Sequence, residues 1–198
     1  MCSLAIKTSG KTPYNNCILE VVALPFDRNF KLNSSRGIFT ALNLKPTIPY
    51  NDEMTISHDE YIQRKINGVD PMYYADLFEQ WKVKLGLPET HPILTLTYKP
   101  YTFTNFMTEW LGFTTFNFVF GDKIRAIDTF AQMYKDCTWY RADDFLFNQT
   151  TYMSLANDCG VEASLKDSTW QRAVNYMLIY CKLLEKGALY ERTGAIKR

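Results

Sequence analysis

The stretch that decides the fold lies at the start of the chain: Met1-Cys2-Ser3-Leu4-Ala5-Ile6-Lys7-Thr8-Ser9-Gly10-Lys11-Thr12-Pro13-Tyr14. Cys2 to Ile6 is a short, mostly apolar run and reads as a strand. Lys7 to Thr12 is a polar turn containing a glycine. Pro13 suits the first turn of a helix, where a missing N–H costs nothing. Tyr14, Cys17, Ile18, Val21 and Val22 then recur at helical spacing. The stretch therefore predicts strand, glycine turn, helix.

Outward from it, Pro25, Pro46, Pro49 and Pro71 break up the next segment. Residues 25–72 read as an irregular insertion with short helical pieces at 35–42 and 59–65. It serves either as a substrate-facing lid or as an ordinary surface excursion. Beyond it the spacing predicts a helix over 74–85, a strand over 92–98 and a helix over 103–111. A strand over 114–120, a helix over 124–134 and a strand over 137–141 follow. Helices over 151–158 and 164–186 complete the chain. This alternation predicts a single α/β domain over 1–198. Its expected form is three layers, with a mostly parallel sheet and helices on both faces. Ligands of such sheets sit beyond the carboxyl ends of the strands. The turns after Ile6, Tyr98, Phe120 and Arg141 are thus the places to look for chemistry.

Composition limits what that chemistry is. The 198 residues are 46% hydrophobic, with 22 Lys plus Arg against 21 Asp plus Glu. That excludes a disordered chain and a binder driven by bulk positive charge. Nucleic acid is therefore not an expected partner. No apolar run reaches the roughly 18 residues of a membrane span, so no membrane partner is expected. The five cysteines are widely spaced and form no CxxC pair, so reduced thiols and no metal site are expected. The first residues lack the features of a signal peptide. Together these predict a cytoplasmic protein, in its own cell or in an infected host.

The first turn carries the strongest chemical pattern. A turn between a strand and a helix aims backbone N–H groups and the helix dipole at an anion. Gly10 permits close approach, Lys11 adds charge and Thr12 adds a hydroxyl. The ending matches GxxxxGK[ST], although Ala5 stands where the first Gly is needed. Asp143-Asp144 reads as a helix cap or a carboxylate pair for a cation. Of the aromatics between Tyr98 and Phe120, most are expected in the core and an exposed minority is left to stack on a ring.

Four segments together resemble the sulfotransferase family, which has a P-loop-like α/β fold. Thr8-Ser9-Gly10-Lys11-Thr12 occupies the place of that family's Lys-Ser-Gly-Thr-Thr turn. Thr97-Tyr98-Lys99-Pro100 stands where the family has Thr-His-x-Pro, with Tyr98 replacing the general base. Gly121 falls at the family's phosphate-binding Arg and Thr129 at its partner Ser, leaving Lys123 or Arg125 to supply the charge. The rhythm from Tyr140 through Asp143-Asp144 to Cys159-Gly160-Val161 continues the likeness. The resemblance implies a small transferase that moves a sulfuryl group from 3′-phosphoadenosine 5′-phosphosulfate to an acceptor. Lys11 and Tyr98 would be its catalytic residues. Ser9, Gly10, Lys11, Thr12, Lys123, Arg125 and Thr129 would bind the donor. The alternative is a non-enzymatic interaction or assembly protein, viral origin included, that carries a degenerate nucleotide-binding turn and pairs with copies of itself. A P-loop nucleotide kinase ranks third.

Overall fold

The computed structural model describes residues 1–198 except 28, 89, 139–150 and 195–198, and gives no side-chain detail for 134–138 and 186–194. The strand β1 (Cys2–Thr8) is central in a five-stranded sheet of order β3-β2-β1-β4-β5. β2 (Ile18–Pro25) and β3 (Phe39–Ala41) extend it on one side as antiparallel neighbours. β4 (Thr95–Thr97) and β5 (Ile124–Ala126) extend it on the other as parallel neighbours.

The sheet is mixed, which corrects the expected mostly parallel, P-loop-type architecture. The first turn is followed by a strand, not by a helix. Lys7 pairs with Glu20 and Ile6 with Val21 in an antiparallel ladder. The physical reason lies in Ile18-Leu19-Glu20-Val21-Val22-Ala23-Leu24. Helical spacing selects Ile18, Val21 and Val22, but Leu19, Ala23 and Leu24 are apolar too and equally buried. A run that must be covered on both faces is satisfied as an interior strand.

The pleat of β1 divides its side chains between two cores. Cys2 and Leu4 join a core formed with α2 (Pro71–Lys84), α3 (Pro100–Leu111) and α4 (Phe113–Val119). Ala5 joins the opposite core, with α5 (Ile127–Thr138), α6 (Tyr152–Asp158) and α7 (Thr169–Gly194). Ser3, also on that face, donates its hydroxyl to the Ala173 carbonyl at 2.6 Å. A third, smaller cluster of Cys17, Leu19, Met54, Ile56 and Tyr61 lies under α1 (His58–Asn67).

Residues 114–120, expected as a strand, form α4 instead. Phe116, Val119 and Phe120 are buried at i, i+3 and i+4, which only a helix turns to one side. β5 and α5 divide the helix expected over 124–134. Residues 35–42 contain a 3₁₀ turn (Ser34–Arg36) and the strand β3 rather than a helix. Residues 25–72 thus supply an edge strand and α1. The strand expected over 137–141 meets α5, which continues through Thr138, and the remainder lies outside the described residues, as do Asp143 and Asp144. Among the described residues no helix is long and apolar enough to cross a membrane.

Candidate functional site

The carboxyl ends of β1 and β4, the start of β2 and the first residue of α7 meet along one edge of the sheet. A polar cleft of about 690 Å³ opens there, lined in part by Lys7, Thr8, Glu20, Glu60, Asp167 and Arg172. The sequence places these groups by simple means. Lys7 is the first charged residue after the buried half of β1. Glu20 faces it across the antiparallel ladder. Ser57 caps α1 by accepting from Glu60 N at 3.1 Å, so that Glu60 and Arg64 project from one face at i and i+4.

These four groups form a charge-balanced quartet. Lys7 Nζ lies 2.7 Å from Glu60 Oε1 and 3.8 Å from Glu20 Oε1. Arg64 Nη2 lies 2.6 Å from Glu20 Oε1, and its Nε 3.0 Å from Glu60 Oε1. Arg64 Nη1 also donates to the carbonyls of Leu19 at 3.1 Å and Leu42 at 3.3 Å. Thr169 Oγ1 donates to Glu20 Oε2 at 2.5 Å, which ties the start of α7 to the same carboxylate. Burial alone would raise the Glu60 carboxyl. The hydrogen bonds and charges of Lys7 and Arg64 outweigh it and hold Glu60 below its ordinary value.

Beside the quartet stands a second network. The rings of Tyr98, Tyr152 and Tyr176 pack with centroids 5.9 to 6.3 Å apart. Tyr152 donates its hydroxyl to Asp167 Oδ2 at 2.7 Å. The buried Asn175 donates from Nδ2 to the Tyr152 oxygen at 2.8 Å, to Asp167 Oδ2 at 3.2 Å and to the Glu162 carbonyl at 3.1 Å. Burial, reinforced by Asp167, pushes the Tyr152 phenol up to about 12. Burial and the charge of Asp128 push Tyr98 up as well. Tyr98 at the end of β4 therefore holds its proton more firmly than a free phenol and has even less phenolate to offer as a general base at neutral pH.

The residues expected to hold a sulfate donor are dispersed. Ser9 donates its N–H to the Cys17 carbonyl at 2.9 Å and its hydroxyl to Asn16 Oδ1 at 3.3 Å. Its carbonyl accepts from Thr55 N at 2.6 Å. Gly10 is packed so closely on Asn16 that an added Cβ would lie 2.0 Å from Oδ1. Lys11 and Thr12 are exposed on a turn that leads into a strand. Without a helix there is no dipole and no fan of free N–H groups to cradle a phosphate. Lys123 precedes β5 and pairs with Asp122 at 3.1 Å. The parallel register puts it at the amino edge of the sheet, opposite Lys11. Arg125 is exposed on the edge strand β5, and Thr129 is exposed on α5.

Lys7, Glu20, Glu60, Arg64, Tyr152, Asp167 and Asn175 escape motif reading because they match no short pattern. One signal was there. A single Glu inside the apolar run 18–24 must find a cation if it is not to be buried unpaired.

No family model and no curated protein matches the sequence. Solved structures do match. A chain in the structure of the yeast NOT1 MIF4G domain co-crystallised with CAF1 is 12% identical, with 94% of this chain and 79% of that one covered and a TM-score of 0.59. The crystal structure of cell-death related nuclease 4 is also 12% identical, with 94% of this chain covered and a TM-score of 0.61. This chain spans 64% of that nuclease chain. At this identity the likeness shows a shared fold alone. It joins the antiparallel register of β1 and β2 in overturning the P-loop fold, and nothing in these neighbours supports sulfuryl transfer.

Three carboxylates, Glu20, Glu60 and Asp167, line one cleft, which raises the question of a divalent cation. Such ions need converging carboxylates with free lone pairs. Among the described residues no group of three or more His, Cys, Asp or Glu side chains could hold a metal. Glu20 and Glu60 are bonded to Lys7 and Arg64. Asp167 accepts from Tyr152, Asn175 and Ser164 N. The donor set in the cleft does not fit a divalent cation.

Proposed function

We propose that this protein acts by binding rather than by hydrolysis, as an interaction or assembly protein built on a fold that a nuclease also uses. One observation carries the reading. The ammonium of Lys7 and the guanidinium of Arg64 stand against Glu20 and Glu60, two of the three carboxylates of the cleft, where a divalent cation would be needed. Fixed positive groups in that place repel an incoming metal ion and leave no open coordination position. The near-neutral net charge of +1 gives little counterion-release drive toward nucleic acid, which favours a protein partner.

The test is incubation with labelled single-stranded DNA and RNA in the presence of Mg²⁺ or Mn²⁺. No cleavage is expected, and neither ion should raise the melting temperature. Cleavage that depends on the divalent ion would overturn the reading.

A further inference from the structure

A second depression, of about 600 Å³, lies away from the cleft, between the turn after β1, the start of α2 and the outer side of α3. Its lining includes the rings of Tyr14, Tyr101 and Trp110, the amides of Asn16 and Asn105, and the carboxylate of Glu109. Tyr14 is 90% exposed and Tyr101 80%. Rings so open to water contribute almost no burial to this fold, and such rings are what binding surfaces are built from. Trp110 donates its indole N–H to the Pro71 carbonyl at 3.0 Å, which fixes the ring beside them.

Asn16 adds a different kind of observation. It lines the groove at only 2% exposure, and its Oδ1 accepts from Ser9. Among the described residues its Nδ2 has no hydrogen-bond acceptor, and that nitrogen is closed off from solvent. Asn16 therefore braces the wall of the groove and offers no donor to an occupant.

We propose that this groove binds a proline-rich peptide in the polyproline II form, with a basic residue at its end. Three features select that occupant. Exposed tyrosines offer flat faces to pyrrolidine rings, the recurrent way in which aromatic-lined grooves take such segments. A polyproline II chain has no internal hydrogen bonds, so its carbonyls are free to accept from the side-chain amide of Asn105. Among the described residues Glu109 is the one charged residue in the lining, and no Lys, Arg or His accompanies it. That complements a basic residue and offers nothing to a phosphate backbone. The inference rests on the reading of the chain as a binding protein and names the class of its partner.

The test is titration of the ¹⁵N-labelled chain with an acetylated oligoproline carrying a terminal arginine. Shifts are expected at Tyr14, at the Asn105 side-chain amide and at Glu109. Tyr14→Ala and Tyr101→Ala should each weaken binding by about tenfold, and because both rings are exposed neither change threatens folding. Glu109→Lys should transfer the preference to a peptide ending in glutamate. Absence of groove shifts at millimolar peptide would overturn the proposal, as would groove shifts produced by single-stranded DNA instead. The cleavage assay on the same sample separates the two readings. Peptide binding together with cleavage would remove the binding-only function and keep the groove. Neither peptide binding nor cleavage would do the reverse.

Discussion

Arg64 Nη2 sits 2.6 Å from Glu20 Oε1, and both side chains are almost out of water, at 11% and 15% exposure. The pair joins the second strand to the first helix. Through Thr169 on the same carboxylate, it also joins the last helix. Removing one partner of such a pair strands the other charge. Arg64→Met should therefore cost about 3 kcal/mol in urea unfolding, since Leu19 O and Leu42 O lose their donor as well. The exposed pair Lys182 and Glu185 provides the contrast. Lys182→Ala should leave the urea midpoint essentially unchanged. Equal effects at the two places would show that Arg64 is not structural.

The pH dependence of stability has a limb on each side. Glu60 and Asp167 are held below their ordinary values of 4.5 and 3.8. A depressed carboxyl stabilises the fold above its unfolded value and loses that contribution as pH falls through the folded one. Stability should thus be level with respect to these groups above about pH 5 and fall below it. Tyr152 is raised from 10.0 to about 12, and Tyr98 is raised too. A raised phenol stabilises fully below its unfolded value and loses the contribution as pH climbs through the folded one. Melting temperature should therefore drop between pH 10 and about 12. A melting temperature that stays level across that range would refute the contribution of the buried tyrosine network.

Asn175 is the hinge of that network, because one Nδ2 serves three oxygens. Asn175→Ala should cost about 2 to 3 kcal/mol, since buried acceptors then go without a donor. Asn175→Asp sets a more specific test. It puts a second carboxylate within hydrogen-bond distance of Asp167 Oδ2, where two like charges cannot both be held easily. The variant should be destabilised at neutral pH and recover as pH is lowered toward 5. A uniform loss at every pH would mean that packing, and not charge, sets the cost.

The elements that the sequence makes legible are those with a local cause. The helix expected over 74–85 is present as α2, which starts earlier, at Pro71, because Asp70 Oδ1 accepts from the Met72 N–H at 2.8 Å. The helix expected over 151–158 is present as α6, capped by Thr151 through Ser154 N. The elements that mislead are those decided by distant partners. Ile18 to Leu24 has spacing enough for a helix, but β1 and β3 on either side make it a strand. The run from Thr114 to Phe120 is rich in β-favouring residues, yet burial of Phe116, Val119 and Phe120 against one core makes it a helix. The cleft is hidden for the same reason. Lys7, Glu20, Glu60 and Arg64 meet only once three separate elements have packed. A short motif such as SGKT catches the eye, although its chemistry depends on the following helix.

The turn after β1 provides the sharpest test of that last point. Gly10 has no room for a Cβ, because Asn16 Oδ1 would lie 2.0 Å from it. Asn16 in turn anchors Ser9, whose hydroxyl also accepts from Cys17 N at 3.0 Å. Gly10→Ala must therefore push Asn16 out of place and should cost about 2 kcal/mol, in the range of other overpacked sites. Lys11 is exposed on the same turn. Lys11→Ala should leave stability within about 0.5 kcal/mol and leave the affinity for adenosine 3′,5′-bisphosphate unchanged and undetectable. A phosphate cradle demands the opposite ranking for ligand binding, with Lys11 dominant. Calorimetry showing nucleotide binding that Lys11→Ala abolishes would restore the anion-binding turn despite the missing helix. Denaturation alone cannot make that distinction, so both measurements belong on the same pair of variants.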